Sequence, residues 1–559
     1  MKRYLLFLLL ASFTLQMSAT VKPREGRGTP EGCVSESFDN YFQGRGPWKI
    51  GSQASAPLKS KGSPKVPVIL VQFSDKKFIS GLGTTTGENG EEVANECLTE
   101  SDITTVNNYF NLFCNGSGDP DSYYKDAGSY GAIREYFRDQ SYNKFTPEFV
   151  IIGPVTLTNS YSYYGKNSGT SKDVNISKFY SEAIKAAQSV YSDWNQFDND
   201  GNNVIDMAFF IYAGEGENGG GGANTIWPKE QASGGTINEV KYGCYACCNE
   251  TYKGKTDGIG VFVHELSHAL GLPDFYDTNY VAYGLDYFDI MDSGCYCNDA
   301  RVPCNYSAYE RDFMGWLPLI ELDPSEILSV TITPISNRGM GYKLVNPNNP
   351  NEYLIIENRQ SEYWDSYIGK GTDRTKMHGL MITRVNYNSS SWTNNKVNTN
   401  PNVPRITIVP ADHTLRSYMW VNDMDDYNDF YISTTGDLFP GRQNVTSMVN
   451  GHEVIYQYYE EIINKETDPE TGEEVEVKTK ELHSYDWSIA GWGYNIMNIT
   501  ELENGYITFD YYDTATSIEG VKESEPQKSP VYNLNGVMVG YSIPDVPGIY
   551  IVKGKKVVR

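Results

Sequence analysis

Two histidines four residues apart carry the clearest chemistry in the chain. Residues 264–274 read His-Glu-Leu-Ser-His-Ala-Leu-Gly-Leu-Pro-Asp. On a helix, His264 and His268 are one turn apart and project from the same face. Their ring nitrogens are then placed to grip one zinc ion. Glu265 follows the first ligand and reaches a water beside the metal rather than the metal itself. A carboxylate so placed takes a proton from water and later returns it to a leaving amine. Zinc supports this by lowering the pKa of water toward about 7 and polarising a carbonyl. Gly271 falls where the helix must stop, because glycine enters a left-handed cap at little cost. The chain then turns back and brings Asp274 toward the metal as third ligand, leaving a fourth position for water. A more distant carboxylate is the alternative for that third place.

Further residues join this constellation. Met291, in Asp289-Ile-Met-Asp-Ser-Gly-Cys-Tyr296, suits either a turn that floors the ligands or ordinary core. Tyr296 is a candidate hydroxyl for a developing oxyanion. Asp198, Asp200, Asn202 and Asp206 offer oxygens at alternating positions around Gly201, which suits calcium or a plain Asx-rich turn. The run Gly214-Glu-Gly-Glu-Asn-Gly219 matches a phosphate-loop spelling. It precedes more glycines instead of a helix and carries two glutamates, so it reads as a rim loop and not a nucleotide site. His378, His413, His452 and His483 read as surface or core-edge residues.

The elements that must hold these residues follow from periodicity. Continuous apolar runs predict strands over 66–73, 149–157 and 204–213, and an edge strand over 240–248. Helical spacing predicts helices over 130–142, 176–191 and 258–270. Strands and helices alternate in one α/β catalytic domain over 65–320. From 321 to 512 short strands and turn residues dominate, which predicts a β-rich region. Residues 513–528 read as a polar linker and 529–559 as a small C-terminal β module.

Composition sets the outer limits. The chain has 559 residues, 46 Lys and Arg against 71 Asp and Glu, and a formal charge of −25. Such acidity argues against nucleic acid or an anionic membrane as partner. Residues 1–19 have the basic start, apolar run and small-residue end of an export signal peptide, and 20–64 read as a leader or propeptide. No later stretch is apolar and long enough to span a membrane. A secreted or cell-surface protein is therefore expected. Nine cysteines in an oxidising compartment predict some disulfides, with one thiol left over. Cys33, in the leader, is either that inert thiol or disulfide partner, or a ligand that keeps the zinc latent.

HELSHALGLPD, DIMDSGCY and YSAYERDFMGWL together resemble the M6, or immune inhibitor A-like, metallopeptidases, here of a Bacteroidetes-type bacterium. VPVILVQFSD, GAIREYFRDQSYNKFTPEFVIIGPV, FDNDGNNVIDMAFFIYAGEGE, EYLIIENRQ and LFPG extend the resemblance over roughly 65–510. It implies a metzincin-like zincin fold with zinc on His264, His268 and Asp274, and Glu265 as acid/base. Protein or peptide substrates follow from it. The tail resembles the C-terminal β modules of exported Bacteroidetes proteins, some of which are read by secretion machinery. The competing reading is a surface adhesin or glycan-binding protein with a vestigial zincin domain, and the intact His264, Glu265 and His268 weigh against it.

Overall fold

The computed structural model describes residues 17–19 and 56–513, except 88, 120–121, 126–127, 280–283, 323–327, 369–376, 417–433 and 468–473, and the strands within 531–558. Most of the expected export signal, the leader up to 55 with Cys33, and the linker after Asp513 lie outside the described residues. Residues up to Tyr512 form one compact unit and Asp513–Arg559 a second.

The first sheet is built on β1 (Lys65–Gln72), β2 (Glu148–Thr156), β3 (Ile205–Glu215), β4 (Lys229–Gln231) and β5 (Val240–Tyr252). Its order is β4-β5-β3-β1-β2, and Met17–Ala19 pairs antiparallel with β4 on the outer side. β2, β1, β3 and β5 run parallel, whereas β4 runs antiparallel to β5. Parallel strands need both faces covered, so their side chains are apolar in alternation toward two layers. Val68, Leu70, Phe209 and Ile211 enter one core, and Ile69, Val71, Phe210 and Tyr212 the other. α1 (Glu100–Asn115), α2 (Ile133–Gln140) and α4 (Gly260–Ala269) cover the first face, and α3 (Ile176–Val190) covers the second.

The 240–248 segment is not an edge. It extends to Tyr252 and lies between β3 and β4. Beyond it come the three-residue β4, whose Lys-Glu-Gln sequence has no apolar period to announce a strand, and then Met17–Ala19. The expected disulfides are also absent: none of the eight described cysteines is cross-linked, and all are buried. On β5, Cys244 and Cys248 point into one core and Cys247 into the other, so neighbouring thiols serve opposite layers.

α4 is buried on every side, with its polar face turned into the molecule. Phe262 stacks on Phe209 of β3 at 3.6 Å and meets Phe149 of β2 edge-on at 5.4 Å. At its start, a Cβ on Gly260 would lie 1.9 Å from the Cys295 carbonyl oxygen, so only glycine lets the helix approach that turn.

Beyond α5 (Ala308–Phe313) the chain is β-rich. A five-stranded sheet contains Tyr342–Val345, Glu352–Arg359, Gly379–Asn386 and Ile406–Ile408. Two three-stranded sheets accompany it among the described residues of this region, one of them built on the long strand pair Glu453–Thr467 and Glu474–Ser488. One continuous core runs from Phe137 and Phe262 through Trp316 to Leu354, Ile382 and Phe509, so 65–320 and 321–512 share an interior. In the second unit, four short strands within 531–558 form an antiparallel sheet.

Candidate metal centre

α4 places His264, Glu265 and His268 in the interior, at 0%, 0% and 1% exposure. The Nδ1 of His264 lies 2.8 Å from the Ile290 carbonyl oxygen, and the Nδ1 of His268 lies 2.7 Å from that of Leu272. A carbonyl only accepts, so each Nδ1 carries the proton and each Nε2 presents a lone pair. Both Nε2 atoms face Asp274 Oδ1, at 3.2 and 3.3 Å.

This donor set fits a metal. Three acceptor atoms, two imidazole nitrogens and one carboxylate oxygen, converge within 4.8 Å in a buried place. A tetrahedral zinc with ligands at about 2.0–2.1 Å separates those ligands by about 3.3–3.4 Å, close to the spacing seen. Burial pushes the Asp274 carboxyl up, and where the facing His268 and His264 rings are protonated, their charge and Nε2–H groups more than reverse this; a bound metal ion takes the place of those Nε2 protons.

The loop that delivers Asp274 begins with a Schellman cap. The Leu272 N–H donates to the Ser267 carbonyl and Gly271 N–H to that of His268, with Gly271 at φ 104°. Phe275 N–H then donates to the Met291 carbonyl at 2.9 Å. Met291 is fully buried, and its own N–H donates to Asp289 Oδ1 at 2.8 Å. The 289–292 turn thus orients His264 through Ile290 and anchors the Asp274 loop through Met291.

Three groups near this centre escaped the sequence reading. Asn395, 121 residues away, accepts from the Asp274 N–H at 2.7 Å and donates to Asp274 Oδ2 at 2.6 Å. Glu230 on β4 is buried, and its carboxyl is pushed well above the usual range by desolvation, then by Glu265 and Asp274. Glu310 lies against Asp289 behind the turn. No local spacing announces any of them.

Tyr296 is buried, but its hydroxyl receives Asn218 Nδ2 at 3.4 Å and its ring lies against Tyr252. Burial, then the neighbouring Cys295 and Tyr252, push its hydroxyl well above the usual range, and the Asn218 hydrogen bond opposes them. At the other end of β3, Asp198, Asp200 and Asp206 bring carboxylate oxygens within 4.8 Å of one another. Burial, then the neighbouring Asp200 and Asp198 charges, push the Asp206 carboxyl up to about 7 against the opposing Asn199 hydrogen bond. The fourth expected residue, Asn202, instead accepts from the Val204 N–H and closes the turn.

A buried two-imidazole, one-carboxylate trio beside a glutamate on one helix, next to an antiparallel sheet edge, is the arrangement of a mononuclear metal hydrolase. Residues 53–316 match the family model for the immune inhibitor A peptidase M6 catalytic domain, and this match supports an M6 family metallopeptidase. It is similar to immune inhibitor A of Bacillus thuringiensis subsp. alesti, 27% identical over 263 residues, which covers 40% of this chain and 37% of that protein. It is also similar to the pre-pro-metalloprotease PrtV of Vibrio cholerae serotype O1 (strain M66-2), 29% identical over 214 residues, covering 33% of this chain and 23% of that protein. The chain therefore matches well under half the length of either relative.

Proposed function

We propose that this protein is an exported, zinc-dependent endopeptidase with a metzincin-like catalytic domain. The observation that carries the reading is the convergence of His264 Nε2, His268 Nε2 and Asp274 Oδ1, with Glu265 on the same helix. Zinc held there supplies a Lewis acid that acidifies water and polarises the scissile carbonyl. The imidazoles and Asp274 hold the ion, and their carbonyl and Asn395 partners fix their orientation. Glu265 takes the proton of the attacking water and delivers it to the departing amine. No covalent enzyme intermediate is needed. Tyr296, whose hydroxyl lies 3.4 Å from Asn218 Nδ2, is the candidate donor to the developing oxyanion.

β4 supports an extended peptide as substrate. It lies beside α4, and its outer edge already accepts an antiparallel segment, with Met17 opposite Gln231 and Ala19 opposite Lys229. The export-type start of the sequence supports secretion or a cell-surface location, and the C-terminal module supports recognition by secretion machinery. Asp198, Asp200 and Asp206 support a calcium ion that braces the start of β3, the trio being the second group of converging ligands among the described residues.

Glu265→Gln tests the mechanism. It keeps the size and burial of the side chain and removes its basicity. Casein cleavage is expected to fall by at least about 10²–10⁴-fold. Elemental analysis of both forms is expected to find one zinc and one calcium per chain. Undiminished cleavage by the variant would remove Glu265 from the reaction, and a wild type without zinc would end the metallopeptidase reading.

A further inference from the structure

We propose that Asn395, carried by the β-rich region, is a positioning residue for Asp274, so that the metal centre is complete only when that region is packed in place. The proposal rests on the metallopeptidase reading and extends it beyond the helix that carries the motif.

The argument begins with what Asp274 needs. A carboxylate on a loop has two oxygens and a rotatable plane, and only one orientation sends Oδ1 to both imidazoles. Asn395 supplies that constraint from two sides at once. Its Oδ1 accepts from the Asp274 backbone N–H at 2.7 Å, and its Nδ2 donates to Asp274 Oδ2 at 2.6 Å. One amide thus reads the backbone and the outer carboxylate oxygen together. It leaves Oδ1 turned to His264 and His268, at 3.2 and 3.3 Å. A side chain with only donors or only acceptors would hold one of these two contacts and not both.

Asn395 is itself held rigidly. It is 0% exposed. The short helix Ser389–Thr393 ends just before it, the Lys396 N–H returns to the Ser391 carbonyl at 2.8 Å, and Asn395 has φ 50°. That is the left-handed cap position which Asn tolerates better than most residues. Within the same helix, the buried Trp392 donates its indole N–H to the Tyr309 hydroxyl at 2.8 Å. Three residues beyond, Asn398 grips the next residue of the ligand loop by donating to the Phe275 carbonyl at 2.7 Å. Its Oδ1 accepts from the Arg405 and Ile406 N–H groups, which ties the clamp to the adjoining strand. The loop after Gly271 is therefore shaped from outside by a segment of the second region.

Partners of this kind orient a ligand before the metal arrives, and their loss typically weakens metal binding by about 10–100-fold. Two variants test it. Asn395→Gly removes the amide while keeping the left-handed backbone. Asn395→Asp keeps that backbone and the acceptor for the Asp274 N–H, but sets a carboxylate against Oδ2 where a donor stood. Zinc affinity is measured on the full chain by competition with a chromophoric chelator, and the visible spectrum of the cobalt-loaded protein reports ligand geometry. Circular dichroism of the metal-free proteins checks the fold, and if the glycine variant fails to fold, the aspartate variant carries the test.

Both variants are expected to bind zinc about 10–100-fold more weakly than wild type, with altered cobalt spectra and metal-free folds like that of the parent. Affinity within about twofold of wild type, with an unchanged cobalt spectrum, would overturn the role of Asn395 while leaving the metallopeptidase reading intact. A wild-type chain that takes up no zinc would overturn both.

Discussion

At the scale of single residues, the site depends on who occupies Nδ1 and who turns the chain. Each imidazole gives its Nδ1 proton to a backbone carbonyl, so its metal-facing nitrogen is chosen by the main chain. For His268 that carbonyl belongs to Leu272, one residue past Gly271. Gly271 sits at φ 104°, where any Cβ crowds its own backbone. Gly271→Ala is expected to cost about 1–2 kcal/mol of stability in a denaturant titration. Zinc affinity should fall with it, since Leu272 and Asp274 move with the cap. Unchanged affinity in a destabilised variant would show that the loop finds its place without the glycine. The helical spacing of His264 and His268 was legible in the sequence, because one turn of helix is a fixed geometry. Asp274 was legible through the glycine stop. Asn395 was not, since its contact spans 121 residues and its sequence surroundings only announce a helix end.

At the scale of elements, the turn behind the ligands is braced by a pair of buried carboxyls. Ser307 Oγ donates toward Asp289 Oδ2 at 3.0 Å and Glu310 Oε2 at 2.9 Å, and Glu310 also caps α5. Burial pushes both carboxyls up, and the Asp289 charge pushes Glu310 further, so the folded pair favours retaining one proton between them. The folded pair holds this proton, whereas an unfolded chain releases it above about pH 4. Its contribution to stability is full below that value and is lost as pH rises through neutrality toward the raised value. Glu310→Gln keeps a donor to Asp289 and cannot ionise. Urea unfolding between about pH 5 and about pH 8 is expected to show a shallower decline in the variant, by up to about 1.4 kcal/mol per pH unit. Identical slopes would mean that the pair holds no extra proton. None of this pairing is visible in sequence, where Asp289 and Glu310 are merely two acids. The strands and helices around it were read correctly where apolar period was strong, as in 66–73 and 204–213. The edge was misplaced because β4 is three polar residues long, and its burial comes from partners such as Asp173, which pairs with Lys229.

At the scale of the whole molecule, the change of texture near residue 321 marks a change of secondary structure and not a break in packing. The β-rich region reaches the metal centre through Asn395, and it reaches the turn behind His264 through Arg359. That guanidinium is 1% exposed. It donates to the Phe288 carbonyl at 2.6 Å, to both Asp365 oxygens at 2.9 Å and to Glu357 Oε1 at 3.1 Å. Asp365 in turn accepts from the Asn305 N–H, and Glu357 from that of Ala308, so the cluster stitches strand Glu352–Arg359 to the catalytic segment at several points. Arg359→Met preserves the bulk and strands two buried carboxylates without a counter-charge. The expected cost is about 3–5 kcal/mol, because desolvated charges are then left unpaired. If the two regions fold as one body, this loss appears as a single transition shifted equally by tryptophan fluorescence and by zinc release. If 321–512 were autonomous, its transition alone would shift, and the zinc-release midpoint would stay where wild type has it. The shared core from Phe262 to Phe509 and the two buried polar ties argue for the first outcome.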